Sequence, residues 1–306
     1  MALADVPQST GGLDIGSRRF LHPGMLRWLR CLGWAVLLFF IFGLTDAAGS
    51  ILPEKLFAGQ GALNALATLV ICLAGFALYA GLVRLAEARW PSELALRPAV
   101  VELVIGLVVG AVMLSVVVAV LVASGLYEVT GPRTSSPWSM ISIGIVSGFM
   151  EELIFRAIVL RLLMRAFGAW PALALSAALF GALHLTNPNA TPMAAIAIAI
   201  EAGLMLAAFY MLTGRIWMSV GVHAAWNFAQ GWIWGARVSG IEVKESLYLS
   251  APKAGAPVWL SGGDFGPEAS VPAMVIGTGV AIVVLYWAWK KGNFRARPDV
   301  PKVEAA

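Results

Sequence analysis

The sequence predicts an all-α protein, a polytopic transmembrane helix bundle of about eight spans with the N- and C-termini cytoplasmic. Three observations carry this expectation. Of 306 residues, 59% are hydrophobic and only 12% charged, about half the ~25% charged share of a soluble domain. The apolar runs are continuous over the ~20 residues a helix needs to cross a bilayer, and they lack the alternation of barrel strands. Basic residues gather at every second boundary between runs, as positive-inside topology requires.

The elements follow in order. Residues 1–24 are polar and Gly-rich, carry Arg18 and Arg19, and read as a flexible cytoplasmic tail. The transmembrane domain covers 25–290. Its first run, 31–48, starts too late for a cleaved signal peptide. Further runs lie at 63–85, 100–127, 138–164, 170–185, 193–212, 216–235 and 272–289. Asn187-Pro188-Asn189 closes the fifth run, and Thr213-Gly214-Arg215 closes the sixth. Inner segments hold Arg27/Arg30, Arg84/Arg89/Arg97, Arg161/Arg165, Arg215 and Lys290/Lys291/Arg295/Arg297, whereas the short outer loops hold only Lys55 and Arg133. The Gly- and Pro-rich stretch 237–271 has three basic and four acidic residues, so it reads as outer. Residues 291–306 form a second cytoplasmic tail.

Composition also excludes. A net charge of +4 with no basic face gives no nucleic-acid surface. Cys31 and Cys72 lie in apolar runs with no CxxC or Cys/His spacing, which leaves neither a disulfide framework nor a structural zinc site. No internal repeat is visible, against the architecture of an inverted-repeat transporter.

The chemistry concentrates in residues 140–235. Glu151 and Glu152 sit near the middle of the fourth run, where two charged residues cost about 5–7 kcal/mol on an insertion scale. Arg156, four residues after Glu152, shares its helix face and is expected to pair with it. Glu151 points about 100° away and stays free. The fifth run carries Phe180 and His184, the sixth Glu201, and the seventh His223 and Asn227 at helical i, i+4 spacing. Small residues beside them, such as Gly181, Gly221 and Ala224, let helices approach closely. One cavity can therefore gather Glu151, His184, His223 and Asn227. Glu201, which belongs to no motif, reads as structural; Asp46, Glu87 and Glu102 read as interfacial, and His22 as incidental.

Two chemistries fit this set. A carboxylate can take a proton from water while His or Asn stabilises the oxyanion. Alternatively, His184, His223 and Glu151 can hold zinc with an open position for water. The residues leave both open. Other membrane-protease signatures are missing: His184 and His223 are followed by Leu185 and Ala224 rather than Glu, no Gly-x-Gly-Asp occurs, and Ser147-Gly148 lacks the preceding Gly of Gly-x-Ser-Gly.

Glu151-Glu152…Arg156, Phe180…His184 and His223…Asn227 resemble the three motifs of the CPBP (CAAX protease and bacteriocin-processing) family of intramembrane proteases, which includes the type II CAAX prenyl endopeptidases. The resemblance implies hydrolysis of a peptide bond in a membrane-associated, prenylated or precursor peptide. It implies that Glu151 activates water, that His184, His223 and Asn227 position it or stabilise the oxyanion, and that Glu152 and Arg156 support Glu151. Members are described with and without metal, so the cofactor stays open between none and zinc. The expected partners are a peptide or membrane-protein substrate and the lipid bilayer, without nucleic acid. The expected location is the bacterial inner (plasma) membrane. The stretch 260–268 also looks like a Gly-rich segment of some bacterial members, and reads as an outer turn or as a lid. Two other classes compete: a non-catalytic immunity or adaptor protein that binds peptides in the same cavity, and a proton-coupled transporter that uses the acids and histidines as a relay.

Overall fold

The computed structural model describes residues 12–133 and 135–296; the remaining parts of the expected tails, 1–11 and 297–306, lie outside it. Three long helices open the bundle: α1 (Arg27–Leu56), α2 (Gly61–Glu87) and α3 (Ala99–Ala123). A short strand β1 (Tyr127–Thr130) follows. Residues 138–167 are helical throughout but not uniformly α. The α-helix α4 (Trp138–Val146) passes into π turns at Ser147–Glu151 and Leu153–Leu160 and ends as α5 (Arg161–Phe167). Next come α6 (Ala169–Leu183), α7 (Pro192–Ile198), a π turn at Ala199–Gly203, and α8 (Leu204–Thr213). Then α9 (Trp217–Phe228) runs into a π turn at Ala229–Ile233. Strand β2 (Leu249–Pro252), the one-turn α10 (Val258–Ser261) and α11 (Val271–Lys290) complete the chain.

The ends have local causes. Thr191 caps α7 by accepting the Ala194 N–H at 3.1 Å, with Pro192 in the first turn, where its missing N–H costs nothing. Ser270 and Pro272 start α11 in the same way. Gly214, at φ 69°, ends α8 in the left-handed cap that glycine favours.

Among the described residues six helices are long and apolar enough to cross a membrane: Arg27–Leu56, Gly61–Glu87, Ala99–Ala123, Ala169–Thr186, Pro192–Thr213 and Val271–Lys290. Exposed Leu37, Phe40, Val108, Val283 and Tyr286 cover their outer faces, as lipid contact requires. The two other expected spans, 138–164 and 216–235, are helical but fall outside this set. The first carries its charges in mid-run, and the second combines a 12-residue helix with a five-residue π turn. The protein is an integral, multi-pass membrane protein.

Close backbone approach sets the bundle around α9. A Cβ at Gly110 of α3 would collide with the Val222 carbonyl, and one at Gly148 would come within 2.9 Å of both the Ala224 Cβ and the Val220 oxygen. Such small-residue contacts, rather than water exclusion, hold membrane helices together. We expect Gly110→Leu to cost about 3 kcal/mol or more through overpacking, read as a lower midpoint for thermal aggregation in detergent. An unchanged midpoint would contradict this packing.

Two expectations fail here. Residues 12–24 are not a loose tail. Leu13, Ile15 and Leu21 are buried, the Leu13 N–H donates to the Arg295 carbonyl at 3.0 Å, and Arg161 Nη1 donates to the Ile15 carbonyl at 3.1 Å. Nor is Glu87 interfacial. It is fully buried and accepts from Arg161 Nη1 and Nη2 at 2.9 and 2.8 Å, from Arg89 Nε at 2.8 Å and from Trp34 Nε1 at 2.9 Å. Arg89 also grips Glu93 through two bonds of 2.8 Å, and the Tyr79 hydroxyl bonds the same carboxylate. Burial would push the Glu93 carboxyl up, but the Arg89 charge and hydrogen bonds, with Arg161, outweigh it and hold the pKa at about 2. The paired charges cluster where α2, α5 and the N-terminal segment meet. Glu102 keeps partial exposure and pairs with Arg215.

Candidate active site

Phe180, on α6, stands at the centre of the site. Its ring lies 4.8 Å from the Arg156 guanidinium, 4.8 Å from the His184 ring and 6.1 Å from the His223 ring. This explains the Phe four residues before His184: one aromatic ring packs against a cation and two imidazoles.

Glu152 is fully buried and engaged on both oxygens. His223 Nδ1 lies 2.9 Å from Oε1, and Arg156 Nε lies 3.0 Å from Oε2, an ion contact not aligned as a hydrogen bond. Arg156 Nη2 also donates to the Ala202 carbonyl at 3.2 Å, at the π turn Ala199–Gly203. His184 Nδ1 donates to the Phe180 carbonyl at 2.8 Å. Asn227 Nδ2 donates to the Ser147 hydroxyl at 2.9 Å, one turn before the acid pair. With Nδ1 committed to an oxygen acceptor in both histidines, each neutral ring keeps its lone pair on Nε2.

Glu151 is half-buried on a π turn, and among the described residues it forms no hydrogen bond or ion pair. Its charge acts on His223, on Arg156 and, across to α1, on Asp46. Such wide turns are rare and often mark functional sites. Here at least one lies in each of the three helical segments that carry Glu151, Glu201 and Asn227.

A cavity of about 20 Å³ lies among His184, His223, Asn227, Glu201, Ser239 and Glu268. That is room for roughly one water. The structure thus gathers His184, His223 and Asn227 on one cavity, with Glu152 and Arg156 behind His223. Glu151 stands outside that lining, though its charge reaches His223 on the cavity wall. Glu201 is not remote from the site, since it forms part of the cavity wall. Ser239 was not expected here, and Glu268 was expected only as the end of the stretch 260–268, read as an outer turn or a lid. They arrive on the segment 237–271, which β1–β2 pairing, the Gly240–Phe265 bond and the Asn189–Gly240 bond fold back onto the bundle. A glycine- and proline-rich loop gives no hydropathy signal for such a fold.

Among the described residues no three His, Cys, Asp or Glu side chains converge as metal ligands. Each histidine turns Nδ1 to an oxygen acceptor, as metal-bound histidines also do, and keeps Nε2 for water or a ligand, while Glu151 lies outside the cavity lining that the two share.

Residues 133–229 match the family model described as Type II CAAX prenyl endopeptidase Rce1-like. The match takes in the helices that carry all three motifs and points to CAAX-type protease chemistry, a hydrolase of the membrane. It leaves out the first three helices and the segment that bears Ser239 and Glu268. No curated protein and no solved structure matches the chain.

Proposed function

We propose that the protein is an intramembrane endopeptidase that cleaves a membrane-associated peptide of the prenylated CAAX or precursor type. The observation that carries this reading is the Glu152–His223 contact of 2.9 Å, set beside His184 and Asn227 on one cavity within the matched segment. A carboxylate that fixes an imidazole tautomer is the arrangement of hydrolytic triads. Both Glu152 oxygens are taken, so Glu152 orients His223 and balances Arg156. Glu151, which has no partner to give up, is the general base for water. His184 and His223 position that water, and the Asn227 amide donates to the developing oxyanion. No step is routed through a metal, and treatment with a chelator is expected to leave the rate unchanged; its loss, with recovery on adding zinc, would reverse this assignment.

The reading includes eight spans with both ends on the cytoplasmic side. The Leu13–Arg295 bond supports it, because two chain ends that pair imply an even number of crossings. Arg89, Arg161 and Arg215 on segments at that side agree with the positive-inside rule.

The test uses the full chain in lipid nanodiscs with an internally quenched farnesylated CAAX peptide and an unprenylated transmembrane peptide. Release of a defined C-terminal fragment from either is expected. Tight binding of a peptide that stays intact would instead establish the adaptor reading.

A further inference from the structure

Glu268 lies on the turn Pro267–Ala269, just before α11 and beyond the matched segment, and is 3% exposed. The Ser239 N–H donates to its Oε1 at 2.6 Å, which fixes the carboxyl at the cavity wall. Glu201 faces the same cavity at 1% exposure, and its Oε2 has no hydrogen-bond partner. Gly277 of α11 packs on the Glu201 Cα and Cγ, so the side chain has little room to turn away. A buried polar atom left unpaired costs about 1–3 kcal/mol, and this one borders a space sized for a water. Two carboxyls on the wall of so small a space resist being charged together, which favours one of them keeping its proton. Burial pushes the Glu268 carboxyl up, against the lowering effect of the Ser239 hydrogen bond.

We propose that the Glu201–Glu268 pair is the proton donor of the site, with Glu268 protonating the leaving amine. This rests on the endopeptidase reading. Peptide hydrolysis needs two proton movements. Water gives one proton to Glu151 as its oxygen bonds to the carbonyl carbon. The C–N bond then breaks, and the nitrogen takes a proton from the Glu268 hydroxyl, whose electron pair stays on the carboxylate. One proton passing from Glu151 to the acid pair through water resets the site, so the sum is one water consumed with one acid and one amine formed. In their neutral form the histidines cannot donate, because His184 Nδ1–H is held by the Phe180 carbonyl and His223 Nδ1–H by Glu152, and Nε2 then carries no proton.

The test compares Glu268→Gln and Glu201→Gln with the unmodified chain in nanodiscs. Two substrates share one farnesylated sequence: the peptide amide, and an aryl ester at the scissile position whose phenolate leaves without protonation. Each variant is expected to lower amide hydrolysis about 100-fold while ester hydrolysis stays within about threefold. Equal losses on both substrates, or no loss on the amide, would overturn the donor role. Infrared spectroscopy reads the proton without any substrate: the band of a buried protonated carboxyl is expected in the unmodified chain and lost in each variant that folds. Its persistence in both variants would overturn the pair. If the unmodified chain hydrolyses neither substrate, the endopeptidase reading falls and the donor role with it, a result distinct from an active enzyme indifferent to Glu268.

Discussion

Glu151→Gln is expected to lower peptide cleavage by about 10²–10⁴-fold, the usual contribution of a general base, with no loss of folded protein. The reason for the split is local. Glu151 is half-buried and forms no hydrogen bond or ion pair among the described residues, so an amide of the same shape removes no structural contact. Glu152→Gln is expected to behave differently. Glu152 is the buried counter-ion of Arg156 and the acceptor for His223 Nδ1, so its loss frees the imidazole and strands a cation. Activity and thermal midpoint should fall together. Rates measured beside melting curves for both variants separate the roles. An active Glu151→Gln with an inactive, stably folded Glu152→Gln would reverse them.

Arg161→Met is expected to be the most destabilising single substitution outside the site, at about 3–5 kcal/mol. Arg161 is fully buried, and it holds Glu87 through two hydrogen bonds while donating to the Ala157 and Ile15 carbonyls. Removing it leaves Glu87 to Arg89 and Trp34 alone, in a dry setting. Denaturation in detergent reads the loss. The double substitution Arg161→Met with Glu87→Leu is expected to recover part of it, because Arg89 and Glu93 remain a balanced pair. The pH dependence has a definite sign. Glu93 is held at about 2 in the folded protein, against about 4.3 when unfolded. Its contribution is therefore complete above about pH 4.3 and is lost as pH falls towards 2. Stability that declined on raising the pH from 5 to 7 would not come from this carboxylate.

The helices were legible in the sequence because lipid demands continuous apolar runs, and the runs at 63–85 and 272–289 fall within helices of the structure. The acid pair and the two site histidines were legible because charge in mid-run is costly and therefore conspicuous. Other features had no local signal. Glu87 looked interfacial because its partner Arg161 lies far along the chain and only the fold brings them together. The Glu152–His223 contact joins two motifs whose spacing in sequence says nothing of geometry. The wide turns at Glu151 and Glu201 follow no periodicity that a 3.6-residue reading detects. Glu268 ends the stretch 260–268, which reads as an outer turn or a lid, and nothing in it marks this carboxylate as a cavity residue. Gly266, at φ 126°, in fact packs against the Arg237 carbonyl and helps bring Glu268 to the cavity.

The most direct measurement is hydrolysis in water enriched in oxygen-18, with the products weighed by mass spectrometry. The unmodified chain, reconstituted with a farnesylated CAAX peptide or a transmembrane peptide, is expected to place one heavy oxygen in the new carboxyl group of the product. Glu151→Gln, equally well folded, is expected to yield almost no labelled product in the same time. A bound but unlabelled and intact peptide, or undiminished labelling by Glu151→Gln, would contradict the assignment of water activation to this site.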